Sequence, residues 1–159
     1  MKRHSFDTPL GHMHIACEAG AITRLSWGCA ADLGAEQGAG AAPEPIAAEA
    51  ERQIRAYFSH ELQVFDLPLR VAGSDFQGAV CAQISAIRFG ETRTYGDLAQ
   101  VLGAPAQAVG QACGGNPIPL IIPCHRILGA NGLGGFSGSG GVESKVQLLR
   151  HEGAAGLLI

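Results

Sequence analysis

The chain has 159 residues, 47% of them apolar, which is enough to bury a core and excludes disorder throughout. Only 16% are charged and the net charge is −3, so a generic basic nucleic-acid coat is excluded and any DNA contact must use a local patch. The five cysteines, Cys17, Cys29, Cys81, Cys113 and Cys124, form no C-x-x-C pair and are odd in number, which argues against a disulfide framework and for a reducing compartment.

Residues 3–27 read as strands, with turns at Asp7–Gly11 and Glu18–Gly20 and His12–Cys17 as the return strand. Residues 28–45 are rich in Ala, Gly and Pro without periodicity, as in a surface loop. Ile46, Ala50, Ile54, Tyr57 and Phe58 recur at helical spacing and predict an amphipathic helix over 45–59. Val64–Leu67 reads as a short strand ended by Pro68.

Between Val71 and Ser74 the character turns from strand-rich to helical, which divides the chain into 1–72 and 73–159. Ser74-Asp75-Phe76-Gln77 has the form of a capping box. Phe76, Val80, Ile84 and Ile87 follow as a buried stripe, and Gly90 closes that helix. Further helices are expected over 95–102, from Pro105 onward, and over 142–151, the last carrying Val142, Val146 and Leu149 inward. No signal-peptide core follows the basic Met1–His4 segment, and the apolar run Ile118–Pro123 is too short to span a bilayer. The expectation is a cytoplasmic protein.

Three segments carry chemistry. Residues 95–113 fit a helix-turn-helix, with Ala99, Gly103 and Val109 at the small, glycine and apolar positions that let two short helices cross closely; an ordinary helical hairpin reads equally from this pattern. From Asn116 to Arg126 an apolar segment stiffened by Pro117, Pro119 and Pro123 delivers Cys124 directly beside His125 and Arg126. Thiolate is the reactive form of cysteine, and a neighbouring base or cation favours it. Gly129–Gly141 holds seven glycines, with Asn131-Gly132 as a tight-turn signal, and reads either as a mobile lid or as a plain linker. It lacks the strand context and the Lys-Ser/Thr of a phosphate-binding loop.

The run Asn116–Arg126, with its Pro-Cys-His-Arg core, resembles the active-site signature of the O6-alkylguanine-DNA alkyltransferases. Phe76-Gln77, Gly90–Gly96, Ala108–Ala112 and Lys145–Gly153 fall in the family's order, as do the sparser Thr8–Gly11, Tyr57-Phe58 and Leu67–Leu69 upstream. The resemblance implies an α/β (α+β) protein: a small ribonuclease H-like sheet-and-helix unit, then a winged helix-turn-helix-like unit with the active site. It implies DNA repair in which Cys124 takes the alkyl group of O6-alkylguanine, and of O4-alkylthymine, irreversibly and without cofactor.

On the same resemblance His125 activates Cys124 through a water and Glu152 orients His125; without it Glu152 would read as a surface carboxylate. Tyr95 helps rotate the nucleotide out of the stack and donates to the leaving purine. Asn116 braces the helix-turn-helix against the site, Arg126 pairs ions, and the backbone of Cys124 and Ile127 accepts the exocyclic amine of guanine. Phe136 stands where the family commonly has tyrosine, and Ser137 or Ser139 contacts the base. Lys145 either assists near the leaving group or is a solvated helix lysine. Ala108 and Gly110 lie where backbone approaches DNA, and the implied partner is duplex DNA bound by a monomer through the minor groove with base flipping.

Three features depart from the family pattern: Gln107 replaces an arginine, the turn before Ala108 is about two residues shorter, and the glycine loop about two longer. A structural metal is not expected, because His12, His14, Cys17 and Cys29 lack paired ligand spacing. The competing readings are a lesion binder without transfer activity, which an intact Cys124 disfavours, an alkylation-sensing regulator, for which the chain leaves little room, and a thiol hydrolase, which would turn over.

Overall fold

The structure, a computed structural model, describes residues 2–27, 44–129, 132 and 141–154. The chain divides into two compact units, Met1–Arg70 and Val71–Ile159. Among the described residues no helix is long and apolar enough to cross a membrane.

In the first unit β1 (Lys2–Thr8), β2 (Gly11–Glu18) and β3 (Ala21–Trp27) form an antiparallel meander in that order. Strand alternation puts Met13, Ile15 and Cys17 of β2 in the core, with Ile22, Leu25 and Trp27 of β3 beside them. Helix α1 (Pro45–Phe58) packs on the strands through Ala47, Ala50, Ile54 and Tyr57, all at most 2% exposed. The strand expected at Val64–Leu67 does not form. The Gln53 side chain takes both backbone groups of Asp66, donating to its carbonyl at 3.0 Å and accepting its N–H at 2.9 Å. Pairing begins only at Leu69, which bridges Ile22.

In the second unit α2 (Asp75–Ser85) is capped by Ser74, whose hydroxyl accepts the Gln77 N–H. The return bond of a capping box is absent, because the Gln77 amide instead donates to the Ala112 carbonyl at 2.8 Å. Phe76 is half-buried, while Val80, Ile84 and Ile87 are in the core. The helix ends at Ser85, five residues before Gly90. Leaving the helix early frees the Ile87 carbonyl, which Arg126 takes at 2.6 Å. Gly90, at φ +85°, turns the chain with its Cα side 3.5 Å from the Glu152 carbonyl, measured to where a Cβ would lie.

Strand β4 (Arg93–Thr94) runs into α3 (Tyr95–Leu102), where Thr94 and Asp97 form a reciprocal capping box. Gly103 ends α3 in the left-handed region, and Pro105 leads into α4 (Ala106–Gly114). The two helices pack on each other, with Leu98 and Val109 buried. β5 (Ile127–Leu128) pairs in parallel with β4, a two-residue ladder that periodicity alone does not signal. Of the three residues of helix α5 (Val142–Glu152) expected inward, Leu149 is in the core and the two valines are not. Val142 is 45% exposed and Val146 half-buried, while Ser144, Lys145, Leu148, Leu149 and Glu152 are buried.

Candidate active site

The segment before Cys124 folds back on itself. Asn116, buried after the end of α4, donates to the Ile122 carbonyl at 2.9 Å and accepts the Ile118 N–H at 3.0 Å. The Ile122 N–H returns to the Ile118 carbonyl, and Leu120 between them takes φ +76°. Asn116 thus braces the loop that carries the cysteine. Cys124–Arg126 form a single 3₁₀ turn, closed by the Ile127 N–H on the Cys124 carbonyl. Successive side chains of such a turn point about 120° apart. The side chains of Cys124 and His125 therefore diverge.

His125 is fully buried, and its Nε2 lies 2.7 Å from Glu152 Oε2. Arg126 grips the same carboxylate in a two-pronged pair, Nε to Oε1 and Nη2 to Oε2, both at 2.9 Å. Its guanidinium also stands over the Phe89 ring, 5.9 Å from the centroid. Burial pushes the Glu152 carboxyl up, but the bonds and charges of His125 and Arg126 outweigh it and hold it at about 2. Burial pushes His125 down more than Glu152 lifts it, so the ring is neutral near pH 7. An ionised carboxylate accepts at Nε2, which places the proton of the neutral ring there and leaves Nδ1 as the basic nitrogen.

Lys145 is not the solvated helix lysine that was one of its two readings: it is 0% exposed and donates to the Ile127 carbonyl. Burial pulls Lys145 down to about 8, against the opposing pull of Cys124 and Cys113. Cys124 itself is 4% exposed, and Cys81 and Cys113 both feel its charge.

The second unit thus brings together Cys124, His125, Arg126, Ile127, Asn116, Lys145 and Glu152 in one connected network. Tyr95 stands at the first residue of α3 beside α4, where a Cβ on Gly110 would lie 3.9 Å from its ring. Gln107 is exposed in the first turn of α4, next to a half-buried Ala108. Phe136, Ser137, Ser139 and Cys29, the Asn131 turn signal and most of the two glycine-rich stretches lie outside the described residues. His12, His14 and Cys17 are on β2, and among the described residues no group of three or more such side chains is placed to hold a metal. The motifs did not reveal the parts of Cys81, Cys113 and the Ile87 carbonyl. A signal for Lys145 was present: it lies seven residues before Glu152, two turns along the same helix face.

A buried thiol followed at once by a carboxylate-braced imidazole is the arrangement of a cysteine-nucleophile protein. Residues 1–71 match the ribonuclease-like domain, and residues 75–154 the DNA binding domain, of 6-O-methylguanine DNA methyltransferase. The methylated-DNA–protein-cysteine methyltransferase of Mycolicibacterium paratuberculosis is 40% identical, over 92% of this chain and 88% of that protein. The constitutive enzyme of that name from Bacillus subtilis is 39% identical over 92% of both. A crystal structure of Mycobacterium tuberculosis OGT in complex with DNA superposes with a TM-score of 0.79 at 39% identity, covering 94% of this chain and 91% of that one. The chain belongs to the 6-O-methylguanine DNA methyltransferase family.

Proposed function

We propose that this protein repairs alkylated DNA by moving the alkyl group of O6-alkylguanine onto its own Cys124. The observation that carries the reading is the buried pair His125–Glu152, fixed at 2.7 Å directly after that cysteine. His125 Nδ1 takes the thiol proton through a water, and Glu152 steadies the cation that results. Cys124 Sγ then attacks the alkyl carbon in line: the S–C bond forms, the C–O6 bond breaks, and its electron pair leaves with the purine. The Tyr95 hydroxyl supplies the purine with a proton. The product is a neutral thioether that water does not displace, so each molecule acts once.

A guanine paired inside a duplex offers no path for in-line attack, so the base must leave the stack. Helices α3 and α4 serve as the helix-turn-helix that binds the minor groove. The first turn of α4 carries no acidic side chain, and its backbone N–H groups favour phosphate. Arg88 and Arg93 are the exposed cations nearest to α4 in sequence. The protein works as a monomer in a reducing, cytoplasmic setting. The test is a count of transfers with methylated duplex in excess. The plateau should reach one alkyl group per protein molecule, and continued turnover would overturn the reading.

Gln107 occupies the position from which the family's arginine fills the gap left by the extruded base. An arginine brings a planar cation to that gap, whereas glutamine is shorter and neutral. Gln107→Arg is expected to speed repair of duplex substrate several-fold, with little effect on reaction with free O6-benzylguanine, which needs no extrusion. Paired rate measurements decide this: an equal change on both substrates would remove position 107 from the extrusion step.

A further inference from the structure

Gln77 forgoes the bond that its sequence motif offers. In the Ser74-x-x-Gln77 pattern the glutamine side chain turns back to the Ser74 N–H. Here it reaches across to α4, 35 residues away, and donates to the Ala112 carbonyl at 2.8 Å. A glutamine amide carries two N–H donors, and the same nitrogen lies 3.6 Å from the Cys81 sulfur, one turn further along α2. Its oxygen lies beside Gly115, where a Cβ would stand 3.4 Å away. The head of Gln77 is thus seated between α2 and the exit of α4.

That exit is a short joint between two parts of the site. On one side α4 presents Gln107 and Gln111 to solvent, one turn apart on the same face. On the other, Gly114 and Gly115 lead to Asn116, whose side chain braces the loop that carries Cys124. The two glycines bring no side chain to hold the joint. Backbone bonds close it: the Gly115 N–H meets the Gln111 and Ala112 carbonyls at 3.1 Å, and the Asn116 N–H meets the Cys113 carbonyl at 3.2 Å. A carbonyl has two lone pairs, and at Ala112 the Gln77 amide takes the second. The tie from α2 therefore lands four residues before Asn116.

We propose that Gln77 is a positioning residue for alkyl transfer from duplex DNA, fixing where α4 ends and so keeping the helix that meets DNA in register with Cys124. This rests on the proposed function, in which Cys124 is the nucleophile and α4 lies on the duplex. A nucleotide rotated out of a duplex stays joined to its phosphates, so the surface that holds the DNA backbone decides where the alkyl carbon arrives. A free base has no such tether and settles against the site itself. Reacting atoms must meet at about 3–3.5 Å, and a misplacement of about 1 Å costs on the order of 100-fold in rate. A loosened joint slows the tethered substrate and spares the free one.

Two substitutions test this. Gln77→Met keeps the length of the side chain and removes its donors, while Gln77→Glu keeps the shape and puts an oxygen where the donor stood. In each, the single-turnover rate at saturating O6-methylguanine duplex should fall about tenfold, with duplex Kd and the rate on free O6-benzylguanine within about twofold of the parent. A bond that only stabilises the fold would lower the folded fraction, and so the number of transfers on both substrates alike, without moving the ratio of the two rates. Unchanged rates, an equal fall on both substrates, or a loss confined to duplex affinity would overturn the proposal. Failure of both variants to fold would overturn it as well, because the bond would then be structural. Transfer by the parent protein reports on the proposed function and the variant-to-parent ratios on Gln77, so the two failures are told apart.

Discussion

Exchanging Cys124 for serine is expected to abolish alkyl transfer, by more than about 10⁴-fold, while leaving binding to alkylated duplex in place. Serine is nearly isosteric, so a site in which Cys124 is only 4% exposed keeps its packing and Asn116 keeps its brace. What disappears is a sulfur nucleophile that gives up its proton far more readily than a hydroxyl and attacks carbon readily. A transfer assay read beside a binding titration checks both halves. Substantial transfer by the serine variant would move the chemistry to another cysteine, with Cys113 and Cys81 as the nearest candidates.

Arg126→Met is expected to be the most destabilising single change at the site. Arg126 makes two bonds to the Glu152 carboxylate and a third to the Ile87 carbonyl, all buried. Removing one partner of such a pair strands the other charge, at a cost of about 3–5 kcal/mol. Acid should reveal the same link. The Glu152 carboxyl is held at about 2 against an ordinary 4.5. A depressed carboxyl contributes stability that is complete above pH 4.5 and lost as pH falls toward 2, here about 3 kcal/mol. The parent protein should therefore lose stability steeply over that window, and Arg126→Met should lose less there because it begins without the pairing. Urea unfolding at pH 7 and pH 3 measures both. A loss under about 1 kcal/mol at pH 7 would show that Glu152 is held by other means.

Much of the fold was legible because local chemistry agreed with tertiary demand. Thr94 before Tyr95, Gly103 after Leu102 and Pro105 before Ala106 fix the ends of α3 and α4 by capping and backbone restriction, and the structure keeps all three boundaries. Where partners distant in sequence intervene, reading the chain locally fails. Gln53, thirteen residues away, takes the backbone of Asp66 and prevents a strand. Arg126, thirty-nine residues away, claims the Ile87 carbonyl beyond an early end of α2. On α5, hydrophobicity pointed to Val142, Val146 and Leu149; Leu149 is buried, but Lys145 and Glu152 join it in the interior while Val142 stays exposed. At the site, the motif around Cys124 marked the residues of the turn, while the contacts that hold them come from α5 and from the end of α2. The depressed Lys145 and the neutral thiols beside Cys124 arise from burial, which a linear sequence states only faintly.

The most direct test of the central claim is the mass of the Cys124 peptide after incubation with a duplex carrying one O6-methylguanine. One added CH₂ is expected on Cys124, in an amount equal to the guanine repaired, with the other cysteines unchanged. Loss of the lesion with Cys124 unmodified, or the methyl group on a different residue, would contradict it.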